Sequence, residues 1–103
     1  MRNMNDLVRQ AGVMQNKIAK LQQELASRTV EASSGGGMVK VVATCKQEVR
    51  EIVIDPKALE GGDVEMLQDL VLTAVNEALR VGRATMEREI AAITGGIHLP
   101  GIM

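Results

Sequence analysis

The sequence predicts an α+β protein with the element order helix, three strands, helix (α-β-β-β-α). Apolar residues recur three and four positions apart over residues 1–28 and again over residues 63–94, which is the period of an amphipathic helix. Residues 29–55 are instead rich in β-branched residues, as strands are. The 103 residues suit one domain. We divide it into a first helical arm (1–28), a sheet (29–55), a second long helix (63–94) and a flexible tail (95–103).

The first helix carries a heptad seam. A helix of 25 residues is about 38 Å long, whereas a compact domain of about 100 residues has a radius of gyration near 13 Å, so we expect this helix to project as an arm. Gly12 lies off the seam and lowers helix propensity by about 1 kcal/mol. The pattern leaves open whether the seam faces a second copy or the chain's own last helix. The seam residues are Met4, Ala11, Ile18 and Leu25 at a positions, and Leu7, Met14 and Leu21 at d positions.

Three short strands follow the arm. We predict them at Thr29–Ala32, Met38–Thr44 and Val49–Ile54, with a Ser-Gly loop after the first and a turn at Lys46–Gln47 after the second. That turn places Thr44 opposite Val49, Val42 opposite Glu51 and Val41 opposite Ile52. The result is an antiparallel sheet with one apolar face, interrupted by Arg50, that consists of Val39, Val41, Ala43, Ile52 and Ile54.

The last strand closes at Asp55-Pro56, and the second long helix begins after Gly61-Gly62. Asp63 is its predicted N-cap, and a glycine stop at Gly95 ends it near Ile93. From Leu79 onward its apolar stripe narrows, which indicates a second arm. A symmetric homodimer would bury both arms most completely. The residues of the narrow stripe are Leu79, Gly82, Met86, Ile90 and Ile93.

Catalytic and metal-binding patterns are missing from the sequence. Cys45 and His98 are the only nucleophile and base candidates, and we interpret them as a packed structural thiol and a solvated histidine. One His and one Cys cannot supply zinc-ligand spacing, and Gly35–Gly37 precedes a strand instead of opening a helix, so it is no phosphate loop. We therefore expect no enzyme, cofactor, metal site or small-molecule substrate. With no signal peptide or membrane span in the sequence, we expect a cytoplasmic protein.

Charge is distributed unevenly along the chain. The net charge of −1 argues against a generic nucleic-acid binder, but residues 1–28 are net positive and residues 63–103 net negative. The chain has no Phe, Tyr or Trp on which single-stranded bases could stack. If the ligand is a nucleic acid, duplex DNA is therefore favoured.

Several segments, in their order along the chain, resemble the YbaB/EbfC family of bacterial nucleoid-associated proteins. The resemblance implies a tweezer-like homodimer that binds double-stranded DNA, possesses no enzymatic activity, and can alter DNA conformation, organise the nucleoid and influence gene expression. Cys45 departs from the family pattern, where glycine is common. The segments are the Met/Gln/Lys-rich first helix, 37–41, 48–50, 54–56, 67–71, 74–78, 94–96 and 99–101.

These observations give a leading hypothesis and an alternative. The chain is expected to bind duplex DNA as a homodimer, through phosphates and with weak sequence preference, in the cytoplasm and nucleoid. The alternative is a scaffold protein whose coiled arms bind another protein. The arginines of the second helix also suit a solvated surface, because Glu77 and Glu87 are spaced to pair with Arg80 and Arg83. The basic residues of the first helix have fewer acidic neighbours, and for them a solvated surface and a binding surface both stay open. The DNA-binding candidates are Arg2, Arg9, Lys17 and Lys20 on the first helix, with Arg83 and Arg88 on the second.

Overall fold

The computed structural model describes residues 4–95. Helix α1 (Met4–Ser27) is followed by strands β1 (Thr29–Ser34), β2 (Val39–Thr44) and β3 (Val49–Ile54) and by helix α2 (Val64–Thr94). Short 3-10 turns lie at Gly35–Gly37 and Pro56–Leu59. The predicted α-β-β-β-α order is confirmed. None of the described helices is both long and apolar enough to cross a membrane.

The molecule is long and thin, because the arms extend away from the sheet. Its principal extents are 71 × 19 × 18 Å, and its radius of gyration is 19.3 Å. A compact domain of about 100 residues would have a radius near 13 Å. The first helix therefore projects, as its length predicts.

One layer of three antiparallel strands, in the order β1-β2-β3, packs under α2. Completely buried small and β-branched residues form the core, so helix and sheet lie close together. β1 is two residues longer than predicted, because Ser34 pairs with Val39 and its hydroxyl donates a 2.6 Å hydrogen bond to the Leu70 carbonyl. The central core residues are Val39, Val41, Ala43, Ala74 and Ala78.

The β2–β3 hairpin differs from the prediction at its turn. The Thr44 amide donates to the Glu48 carbonyl, and Gln47 adopts a left-handed φ of 70°, so the loop has three residues instead of two. Ala43 therefore lies opposite Val49, and the predicted Thr44–Val49 pairing is wrong. A β-bulge then accommodates Arg50 and restores the predicted pairs Val42–Glu51 and Val41–Ile52.

The predicted apolar face continues across β3, but it is not buried there. Val41 and Val39, the partners of Ile52 and Ile54, are completely buried, whereas every residue of β3 is exposed. The cause is the position of α2, which packs on β1 and β2 and leaves the outer strand uncovered. Ile52 and Ile54 therefore lie on the predicted apolar face but outside the buried core of the protomer.

Gly82 marks the place where α2 leaves the sheet. A Cβ atom there would lie 3.0 Å from the Thr44 carbonyl oxygen and 3.4 Å from the Cys45 Cα, so glycine permits a close approach of the two backbones. Beyond this point α2 packs along α1, and the predicted narrow stripe is buried or half-buried. Asp63 caps α2 as predicted, since its carboxylate accepts from the Met66 amide at 3.0 Å.

Candidate nucleic-acid interface

The heptad seam of α1 is partly internal to the protomer. Ile18 and Leu25 are buried, Met14 and Leu21 are half-buried, and α1 contacts α2 and β2. Towards the tip of the arm, Leu7 and the other seam residues are exposed. The C-terminal half of the seam thus covers the chain's own second helix, and α1 keeps its opposite face for solvent or a ligand.

The basic residues of α1 lie on that opposite face. Each residue of an α-helix is rotated by about 100° from the previous one, so Arg9, Lys17 and Lys20 point about 100–180° away from Ile18. All three side chains are exposed, and none forms an ion pair or hydrogen bond within residues 4–95. They span 11 positions, or about 16 Å of helix. The structure therefore brings these three predicted residues onto one surface.

A shallow depression accompanies two of these lysines. The depression has a volume of about 220 Å³ and is lined by Val13, Asn16, Lys17 and Lys20. A larger groove, of about 390 Å³, lies on α2. The two lysine ammonium groups and the amide NH2 of Asn16 can all donate hydrogen bonds, and such donors suit phosphate oxygens. We call Arg9, Val13, Asn16, Lys17 and Lys20 the basic face of α1.

The arginines of α2 do not form a comparable surface. Arg83 and Arg88 are exposed, but five positions separate them by about 140° around the helix, so they point in different directions. Arg80 donates two hydrogen bonds to Glu77, which lower the pKa of that carboxyl and raise the pKa of Arg80. The predicted Glu77–Arg80 pair is confirmed, whereas no Arg83–Glu87 pair forms in the described part of the chain.

Arg28 forms an ion pair within the protomer and is therefore not a free cation. Its guanidinium lies 3.3 Å from the Glu89 carboxylate and links the end of α1 to α2. Cys45 is completely buried nearby, in agreement with the predicted structural thiol. Burial raises the pKa of the Cys45 thiol, Arg28 opposes the shift and Glu89 adds to it. A buried, protonated thiol is a poor nucleophile.

The remaining candidates lie at the chain ends. Arg2, His98 and the predicted tail after Gly95 are outside the described residues. Within residues 4–95, no group of three His, Cys, Asp or Glu side chains could hold a metal ion.

Comparison with known proteins identifies the family. The family model for the YbaB/EbfC DNA-binding family matches residues 1–97. The chain belongs to this family. YbaB/EbfC is a family of DNA-binding proteins. The resemblance inferred from the sequence segments is confirmed.

Curated relatives of this YbaB/EbfC chain are bacterial proteins named for association with the nucleoid. A nucleoid-associated protein of Moorella thermoacetica is 56% identical over 101 residues, which cover 98% of this chain and 97% of that protein. A nucleoid-associated protein of Acetivibrio thermocellus is 52% identical over 101 residues, covering 97% and 89% of the two chains.

A solved structure confirms the fold of this YbaB/EbfC chain. The crystal structure of an uncharacterized protein from Helicobacter pylori matches with a TM-score of 0.78 and covers 92% of this chain and 100% of that one. The sequence identity is 22%, so this likeness concerns the architecture alone.

Proposed function

We propose that this YbaB/EbfC chain binds double-stranded DNA mostly through phosphates, using the basic face of α1. The supporting observation is that Arg9, Lys17 and Lys20 point to one side of the arm without ion-pair partners among the described residues. Unpaired cations can release counterions from DNA, whereas cations already paired with carboxylates gain less. Arg2 extends the candidate set towards the arm tip, and Arg83 and Arg88 are secondary candidates on α2.

Phosphate contacts imply weak sequence preference. The described part of α1 is about 36 Å long and its basic side chains are spread along the outside of a helix, so they can follow a backbone without entering a groove. The absence of aromatic residues removes base stacking as a source of affinity for single strands. We therefore propose that duplex DNA is preferred over single-stranded DNA of the same length.

The active form is proposed to be a homodimer with two arms. One chain has a net charge of −1, so DNA binding depends on local concentration of positive charge, and two copies of the basic face double the number of phosphate contacts. The names of the bacterial relatives support a location in the cytoplasm at the nucleoid. There, two arms on one duplex could change its conformation, organise the nucleoid and influence gene expression.

Charge reversal on the basic face tests the proposal. Binding to a random duplex of about 30 base pairs is measured by fluorescence anisotropy between about 50 and 200 mM salt. The Lys17→Glu/Lys20→Glu variant should lose at least about 100-fold in affinity at the lowest salt, and its salt slope should fall by about 2 for each bound chain. Lys46→Glu/Lys57→Glu is the matched control, because it changes net charge equally at two exposed lysines off the arm.

The control separates local from global charge. If both double variants weaken DNA binding equally, net charge alone governs affinity and the basic face has no special role. Wild-type affinity that does not change with salt would contradict the phosphate mechanism. A single-stranded competitor that displaces the protein better than the duplex would contradict the proposed ligand.

A further inference from the structure

The tip of α1 carries the exposed part of the heptad seam. Met4, Leu7, Ala11 and Met14 continue the stripe of the buried Ile18, because each lies within about 40° of it around the helix. Met4 is 73% and Leu7 52% exposed, and Met14 is half-buried. We name Met4, Leu7, Ala11 and Met14 the tip seam. It is an apolar helix face for which the described residues provide little cover.

The two helices leave the sheet side by side and in opposite directions. The backbone of Gly82 lies against Cys45, whose amide donates to the Arg28 carbonyl at 3.0 Å, so Gly82 in α2 is level with the end of α1. Beyond this level α2 contacts α1, and Thr94 is still buried. Thr94 is 12 positions from Gly82, or about 18 Å. The same length along α1 reaches residue 16, so α2 ends where the tip seam begins.

Residues 96–103 follow α2 and are outside the described part of the chain. Their sequence, Gly-Ile-His-Leu-Pro-Gly-Ile-Met, contains four large apolar residues and no Asp, Glu, Lys or Arg. Gly95 stops α2 with a left-handed φ of 65°, and Pro100 favours extended backbone at Leu99. Eight extended residues span up to about 26 Å, whereas the tip seam from Met4 to Met14 is about 15 Å long. The segment is therefore long enough to cover the tip seam.

We propose that residues 96–103 pack along the tip seam of the same chain instead of forming a flexible tail. Ile97 and Leu99 are two positions apart, so both fall on one side of an extended segment. Without charged residues, the segment loses no charge hydration when it packs on an apolar helix face. The tip seam is turned away from the basic face of α1, which this contact leaves open. The inference is independent of the proposed DNA binding.

The small size of the tip seam favours a tethered segment over a separate molecule. Stable interfaces between proteins use about 20–30 residues on each side. The tip seam has four side chains along one helix, which is far less. A segment joined to the end of α2 is held near the tip at an effective concentration of the order of mM, so it can occupy a contact that is too weak to retain a free partner.

Amide hydrogen exchange of the full chain without DNA tests the proposal. A helix as short as the tip is marginal in water, so amides 8–14 should exchange rapidly unless another segment covers them. The Ile97→Ser/Leu99→Ser variant should accelerate their exchange by at least about 10-fold, because it removes apolar side chains that cover the tip seam. Exchange of amides 21–25, where α1 packs on α2, should not change.

His98→Ser/Gly101→Ser is the matched control. It introduces the same two hydroxyl groups into the same segment but keeps all four large apolar residues. Exchange at the tip should then remain as in wild type. Equal effects of the two double variants would overturn the proposal, and so would an unchanged tip in Ile97→Ser/Leu99→Ser.

A spin label distinguishes the chain's own segment from that of a second copy. The nitroxide is attached to His98→Cys in a Cys45→Ala background, so that the chain has one thiol. In an isotope-labelled chain diluted into unmodified protein, it should broaden the NMR signals of amides 8–14 but not those of Pro56–Leu59 at the other end of the molecule. When the label is on one chain and the isotope on another, the broadening should disappear. Broadening that persists between chains, or that is absent from both samples, would overturn the proposal.

Discussion

Replacing Gly82 with alanine should destabilise the protein, although alanine is the better helix former. Gly82 is buried in the middle of α2, where the added Cβ would lie 3.0 Å from the Thr44 carbonyl oxygen. The obstacle is backbone at the end of β2, which cannot rotate away as a side chain could. Relief requires α2 to move off the sheet by a few tenths of an ångström, at the expense of contacts around the buried Cys45.

The magnitude follows from two opposing effects. Alanine gains about 1 kcal/mol over glycine in helix propensity, whereas overpacking a tight contact typically loses about 1–3 kcal/mol. Gly82→Ala should therefore lower the free energy of unfolding by up to about 2 kcal/mol. Gly12→Ala is the matched control, because Gly12 also lies in a helix but has no atom within 4 Å of its added Cβ. It should raise stability by up to about 1 kcal/mol.

Urea unfolding followed by far-UV circular dichroism measures both variants. Protein concentration must be equal in all samples, because association would make stability depend on it. A difference of about 2 kcal/mol between the variants corresponds to roughly 10 °C in Tm for a domain of this size. If Gly82→Ala stabilises the protein as much as Gly12→Ala does, the close approach at Thr44 does not limit the position of α2 and the reasoning is refuted.

Two further substitutions probe the body of the protein. Ser34→Ala removes the 2.6 Å hydrogen bond to the Leu70 carbonyl and should lower the free energy of unfolding by about 1 kcal/mol. Ser33→Ala, at the exposed neighbouring position, should change the free energy of unfolding little. Equal effects of the two substitutions in urea unfolding would contradict a stabilising role for this hydrogen bond. Burial raises the pKa of the Cys45 thiol above its ordinary value of 9.0, so the unfolded chain loses this proton at a lower pH than the folded chain does. The stability that the buried, protonated thiol contributes is therefore complete below that pH and is lost as pH rises through the folded pKa. Between about pH 8 and pH 10, wild type should thus lose more stability than Cys45→Ala, and an equal loss would show that the thiol makes no such contribution.

The sequence was sufficient for those features that depend on local periodicity. Ile18 and Leu25 recur at heptad positions and are buried, and Asp63 caps α2 because a short acidic side chain before a helix can accept from its first amides. Pairing of Val41 with Ile52 followed from alternation along the strands.

Features that depend on tertiary position were not predictable in this way. The left-handed φ of Gln47 produced a three-residue loop, and the bulge around Arg50 compensated for it, but glutamine is not a residue that marks such a turn. Exposure of Ile52 depends on where α2 crosses the sheet, and nothing in the alternation of β3 contains that information. Among the DNA-binding candidates, helical spacing placed Arg9, Lys17 and Lys20 together; their contact with DNA stays a prediction.

The tip of α1 has little of the packing that holds the rest of the fold. Among its described residues, none before Ile18 is fully buried and Met14 is only half-buried, so the first 14 form about 21 Å of helix with little covered surface. A helix of this length is marginal in water on its own. Helix formation at the tip is consequently coupled to ligand binding, because a ligand that lies along the tip stabilises its helical form. Ligand binding should therefore increase the magnitude of the negative ellipticity at 222 nm.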